Sequence, residues 1–179
     1  IGSIDADIVV VGIGVLPCQE LAEKSGVQTN NGIVVNEFCV SSDKNIFSAG
    51  DCTLHPSPFY KKDIRLESVH NAIEQGKTVA SSIMGEFISY NQIPWFWSDQ
   101  YDLKFQIAGL NSGYDEYIIR GKPEDNSFSV FYFKDGLMIS SDCINSAPEH
   151  MMSRRFIFNK TEIDLEKLHD KNISMKEVI

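Results

Sequence analysis

The segment Ala6–Pro17, ADIVVVGIGVLP, decides how the first third of the chain is read. Ile8 to Val11 form an apolar run with three consecutive valines, which suits a parallel strand, Asp7 to Val11, buried on both faces of a sheet. The glycines that follow resemble the opening of a dinucleotide-binding turn. Such a turn requires a third glycine where the helix packs on the strand, and here Gly12 and Gly14 are followed by Pro17. Asn30, Asn31 and Gly32 occupy the region where a ribose-binding acid would sit. A self-contained phosphate cradle at the first strand is therefore not expected. Pro17 opens a helix that carries Leu21 and Ala22 and stops at Gly26.

Working outward, short strands are expected at Ile33–Val35 and around Ile46–Ala49, the second ending at Gly50-Asp51. A loop rich in proline and lysine, Pro56 to Asp63, precedes the clearest periodic signal. Val69, Ile73, Gly76, Ala80, Ile83 and Phe87 are spaced by threes and fours, which predicts one long amphipathic helix. Gly76 inside that stripe is expected to allow another element to approach closely.

Aromatics gather around a proline at Tyr90–Asp99, and a domain boundary is placed there. Strands follow at Lys104–Ala108, Glu116–Arg120, Phe128–Phe133 and Leu137–Ser141, the last two joined by the hairpin signal Asp135-Gly136. They are expected to form an antiparallel meander. Ser146 with Glu149 reads as a capping box for a helix through Met151, Met152 and Arg155, and Ser174 with Glu177 repeats it.

The 179 residues carry a net charge of -9, which repels phosphate backbones and excludes nucleic acid as an expected partner. Lys61, Lys62, Arg154 and Arg155 read as solvated surface. No apolar run reaches membrane-spanning length. The four cysteines and four histidines are isolated, so neither a metal site nor a disulfide framework is expected, and a reducing cytoplasm fits. The chain begins at Ile1 without a methionine, as expected of a processed chain or a fragment.

Three places could carry chemistry. Gly50-Asp51 ends a strand with a close-approach glycine and a carboxylate able to accept bonds from ligand hydroxyls, although a turn or cap role is the plainer reading of the spacing. The helix start at Ser68, Val69 and His70 offers free amides and a dipole suited to negative charge. Trp95 and Trp97 are expected to point apart, one packing inward and the other facing a planar ligand or a partner.

Taken in order, ADIVVVGIGVLP, NIFSAGDC (45–52), RLESVHNAIEQGKTVA (65–80) and PWFWSDQYDLKFQIAGL (94–110) resemble the C-terminal part of the FAD-dependent, NAD(P)H-linked ferredoxin reductases, from about Ala6 to Ile157. The resemblance implies an α/β partial FAD/NAD(P)-binding domain followed by a small α+β antiparallel C-terminal domain. Its divisions are the end of the NAD(P)H domain at 1–30, the last part of the FAD domain at 31–92, the C-terminal domain at 93–160 and a tail at 161–179. It implies that Gly12 and Gly14 lie near the nicotinamide and that Gly50 and Asp51 hold the ribityl chain of FAD. The amides of Ser68, Val69 and His70 would then meet the pyrimidine edge of the flavin, and Trp97 would stand at its edge where the partner docks. The implied partner is a [2Fe-2S] ferredoxin or a rubredoxin-type protein, with a homodimer as one admissible assembly. Because both glycine-rich fingerprints of that family are missing here, this polypeptide alone is expected to bind FAD weakly or not at all. A flavin disulfide reductase and a non-enzymatic docking or dimerisation module are the competing readings.

Overall fold

In a computed structural model, residues 2–179 are described. Asp7–Val11 is not a strand: the segment is irregular, and Ile8, Val9, Val10 and Val11 are 69–91% exposed. A strand buried on both faces needs neighbours to take its amides and layers to cover it, and none of the described strands pairs with it. The first helix, α1 (Glu20–Lys24), starts three residues after Pro17; Ala22 is buried, Leu21 is exposed, and Gly26 follows the end with φ +75°.

Strand β1 (Ile33–Val34) pairs in parallel with β2 (Thr53–Ser57), which turns back antiparallel onto β3 (Lys62–Ile64). The segment read as a proline- and lysine-rich loop is thus largely a hairpin. Pro56 is tolerated inside β2, in a sheet of only three short strands. The strand expected around Ile46–Ala49 is reduced to a single bridge between Val40 and Phe47, for lack of a continuous neighbour.

Helix α2 (Val69–Ile83) confirms the long periodic element. Ser68 caps it, its hydroxyl accepting from the amide of Asn71 at 3.3 Å. The buried face is nevertheless the polar one: Asn71, Gln75, Thr78 and Ser82 are buried, whereas Val69, Ile73, Ile83 and Phe87 are 53–63% exposed. Gly76 is also exposed, and a Cβ placed there would meet nothing within 4 Å, so it accommodates no neighbour.

Beyond Pro94 the chain builds a five-stranded antiparallel sheet from β4 (Trp95–Gln100), β5 (Leu103–Gly109), β6 (Glu116–Lys122), β7 (Ser127–Lys134) and β8 (Leu137–Ile144). The spatial order β4-β5-β8-β7-β6 is not a meander, since β5 pairs with β8 rather than with β6. Helix α3 (Ala147–Asn159) covers one face of the sheet. Its Ser146 does not form the expected capping box; the hydroxyl turns back to the carbonyl of Ile144 at 2.9 Å. The second expected box is a turn: the amide of Ser174 donates to Glu177 at 3.1 Å, but no helix follows. Helix α4 (Leu165–His169) and the residues after it close the core, in which Phe131, Phe133, Leu168 and Val178 are fully buried with Phe156, Ile157 and Met175.

Arg120, 3% exposed on β6, ties that last segment down. Its guanidinium donates to the carbonyls of Leu168 (2.9 Å), Asp170 (2.7 Å), Ile173 (2.5 Å) and Lys171 (3.4 Å) and meets Glu149 at 3.4 Å. The hairpin and the large sheet are joined by Tyr60, which donates to the carbonyl of Ile139 at 3.0 Å and accepts from the amide of Leu110 at 2.8 Å. Burial pushes its phenol up to about 12. Gly109, at φ +73°, makes room for this contact: a Cβ there would lie 2.1 Å from the Ile139 carbonyl and 2.8 Å from the Tyr60 hydroxyl.

Candidate functional site

The Gly50-Asp51 turn and the start of α2 converge. Gly50, at φ +88°, packs against Ala72 of the helix's first turn, where an added Cβ would come within 3.4 Å of the alanine Cβ. Its amide donates to Gln75 Oε1 at 2.7 Å, and the same oxygen accepts from Thr53 Oγ1 at 2.8 Å and from Asn71 Nδ2 at 3.4 Å. The polar inner face of α2 therefore serves to fix the turn. Tyr90 extends the network, donating to Asn71 Oδ1 at 2.8 Å.

Asp51 itself is exposed, and its carboxylate accepts only a long bond, 3.4 Å, from the amide of Ser68. Most of its accepting capacity faces outward, as a ligand-binding carboxylate requires. Arg65 braces the turn from the other side, donating to the Asp51 carbonyl at 3.1 Å and pairing with Glu67 at 2.9 Å. The amides of Val69 and His70, in the first turn of α2, have no intrahelical acceptor, and the positive end of the helix dipole lies there.

Trp97, 43% exposed, joins Phe96, Glu67, Ser68 and Val69 around a hollow of about 110 Å³ beside that helix start. The two tryptophans do not point apart. On a strand, residues two apart share a face, and the Trp95 and Trp97 rings lie 5.1 Å from one another, tilted by 32°. Trp95 is the inner ring, surrounded by His70 (5.5 Å), His150 (5.4 Å) and the guanidinium of Arg154, 5.0 Å above its face. Arg154 is therefore a half-buried partner of an aromatic ring, not solvated surface. Burial, reinforced by the charge of Arg154, holds His150 down to about 4 and also lowers His70.

Gly12 and Gly14 lie on the exposed, irregular N-terminal segment, Gly14 at φ +102°, and no contact joins them to the Asp51–Trp97 region. Sequence reasoning missed Arg65, Gln75 and Arg154, which touch the site only through the fold; the Gln75 side of α2 could have been found by noting that the stripe's opposite face is uncharged and able to hydrogen-bond. Among the described residues no cluster of three or more metal-ligating side chains occurs, and no helix is long and apolar enough to cross a membrane.

The chain thus joins a turn carboxylate facing a helix mouth to an antiparallel C-terminal sheet. Residues 2–76 match the pyridine nucleotide-disulphide oxidoreductase family and residues 95–179 the reductase C-terminal family, and the chain belongs to these reductases. It is 38% identical over 174 residues to putidaredoxin reductase of Pseudomonas putida, covering 97% of this chain and 41% of that protein. It is 39% identical over 176 residues to rhodocoxin reductase of Rhodococcus erythropolis, covering 98% and 41%. Among solved structures, a ferredoxin reductase from Rhodopseudomonas palustris superposes with a TM-score of 0.90 at 38% identity, covering 96% of this chain and 42% of that one. The reductase in a covalent putidaredoxin reductase–putidaredoxin complex gives the same score and identity over 97% and 42%. The chain thus spans about two-fifths of the length of the curated relatives it matches.

Proposed function

We propose that this chain is the flavin-facing and C-terminal part of a cytoplasmic reductase that passes electrons from NAD(P)H, through FAD, to a small iron–sulfur protein. The observation that carries this reading is the convergence of Asp51 and the α2 start beside Trp97, in a chain 36–39% identical to reductases named for putidaredoxin, rhodocoxin and rubredoxin. Asp51 accepts bonds from ribityl hydroxyls, and Gly50 keeps the backbone low enough for them to approach. The amides of Val69 and His70, with Ser68 fixing the helix start, stabilise negative charge at the pyrimidine edge by about 0.3 to 2 kcal/mol. Bound FAD supplies the exchange between two-electron and one-electron steps. Trp97 covers the edge where the acceptor, a [2Fe-2S] ferredoxin or a rubredoxin-type protein, docks, while Gly12 and Gly14 border the nicotinamide. In domain terms, residues 1–30 end the NAD(P)H domain, 31–92 end the FAD domain, 93–160 form the C-terminal domain through which a homodimer would form, and 161–179 are its tail.

The disulfide-reductase alternative requires a histidine–glutamate pair near the chain end. His150 instead packs beside Trp95 at 5.4 Å, its ring tilted by 56°, His169 is exposed, and among the described residues neither pairs with a glutamate. The test is a chimera in which the N-terminal part of rhodocoxin reductase precedes residue 2. It should retain FAD, and Asp51→Ala should weaken FAD binding about 10- to 100-fold, the worth of one or two bonds to a charged acceptor. FAD retention unchanged by Asp51→Ala refutes the assignment.

A further inference from the structure

Trp95 is a half-buried residue whose indole nitrogen has an unusual setting. Its Nε1 has no hydrogen-bond partner, and neither have Arg154 Nε, His70 Nδ1 and His150 Nδ1 around it. Hydrogen bonds therefore do not fix the ring's orientation. What does hold it is packing, from the guanidinium over its face at 5.0 Å and two imidazoles at 5.4 and 5.5 Å, tilted by 56° and 48° to the indole. The backbone of Trp95 is pinned as well, its carbonyl accepting from Ser68 Oγ at 2.8 Å, the residue that caps α2. Arg154 and His150 belong to α3 and His70 to α2, so Trp95 stands between the helix of the C-terminal domain and the mouth of α2. Trp97, the next ring out, leans on Trp95 at 5.1 Å and is itself 43% exposed.

We infer that Arg154 is a positioning residue: by clamping Trp95 it sets the angle at which Trp97 is presented to the flavin edge. The inference rests on the reading of Trp97 given above, yet the clamp itself is measurable without any flavin. An arginine suits the task because its planar cation is attracted to the indole face and its stem fills the space beside it. On the α2 side Glu74 accepts from Lys77 at 2.6 Å, and its charge partly offsets the burial that disfavours the Arg154 cation.

Trp95 and Trp97 are the only tryptophans of the chain, so tryptophan emission and the coupled circular-dichroism signal of two neighbouring indoles report on this pair alone. In the 179-residue chain, Arg154→Met is expected to reduce the coupled signal about twofold or more and to shift emission toward that of a solvated indole. Arg154→Lys should recover part of the signal by restoring the cation, and Arg154→Gln, which changes the packing less, provides the same reading if the methionine variant does not fold. A coupled signal and emission identical to wild type in a folded Arg154→Met or Arg154→Gln variant overturn the inference. In the rhodocoxin chimera, Arg154→Met should lower kcat for the iron–sulfur acceptor while leaving KM for the nicotinamide unchanged. If FAD in the chimera fails to quench tryptophan emission while the coupled signal still responds to Arg154, the clamp stands and the flavin-edge position of Trp97 falls.

Discussion

Replacing Arg120 with methionine tests how the C-terminal segment is held. The guanidinium is 3% exposed and makes three bonds of 2.5 to 2.9 Å to the carbonyls of Leu168, Asp170 and Ile173, with longer contacts to Lys171 and Glu149. Each bond from a charged donor is worth about 1.5–3 kcal/mol before the cost of burying the cation is subtracted. Methionine fills a similar volume but leaves these carbonyls without a donor and Glu149 without its partner. Loss of one member of such a buried set costs about 3–5 kcal/mol. For a chain of this size the loss lowers Tm by about 6–20 °C. Urea unfolding followed by circular dichroism, with thermal melts alongside, measures both quantities. Arg120→Lys should recover less than half, because one ammonium cannot serve carbonyls spread from Leu168 to Ile173. A methionine variant within about 1 kcal/mol of wild type, or a lysine variant equal to it, would refute the account.

Acid should weaken the fold in a defined window. His55 and His150 are both held down to about 4 from 6.5, by burial in each case, with Arg154 adding to the effect on His150 and Asp63 opposing it on His55. The unfolded chain takes up these protons first, so the stability is fully present above 6.5, is lost progressively as pH falls toward 4, and changes no further below that. Each histidine contributes up to about 3 kcal/mol, and a urea midpoint that stays constant across this window would contradict it. Gly109→Ala should cost about 2 kcal/mol or more, because its Cβ would overlap the Ile139 carbonyl at 2.1 Å, and the melt of this variant is compared with that of Tyr60→Phe to separate the clash from the lost hydroxyl. Ser68→Ala removes both the α2 cap and the donor to the Trp95 carbonyl, an expected loss of about 1–2 kcal/mol; a smaller loss accompanied by unchanged tryptophan emission would show that the cap is dispensable.

The elements whose signals are local were readable from residue types. The β7–β8 hairpin follows from Asp135-Gly136, which supply φ +51° and +76°, and α2 follows from its period. Gly50 and Asp51 could be singled out as candidates because a glycine and a carboxylate together at a strand end mark a turn, whereas the capping role of the Ser68 hydroxyl emerges only from the fold. What depends on distant partners was not readable. The valines of Asp7–Val11 have strand chemistry but no paired strand, and Ile46–Ala49 lacks a continuous neighbour for the same reason. The order of the large sheet turns on β5 choosing β8, a pairing set by packing under α3 that no spacing along the chain encodes. The side on which Trp95 and Trp97 point was decidable from strand geometry once their segment was recognised as β4.

Helix α2 buries Asn71, Gln75, Thr78 and Ser82 and turns Val69, Ile73 and Ile83 to the solvent. In water such a helix is a surfactant worn inside out. Together with the exposed valines of residues 9 to 11 it leaves the polypeptide with bare apolar surface, so light scattering should rise with concentration and environment-sensitive dyes should brighten even while the sheet beyond Pro94 remains fully native.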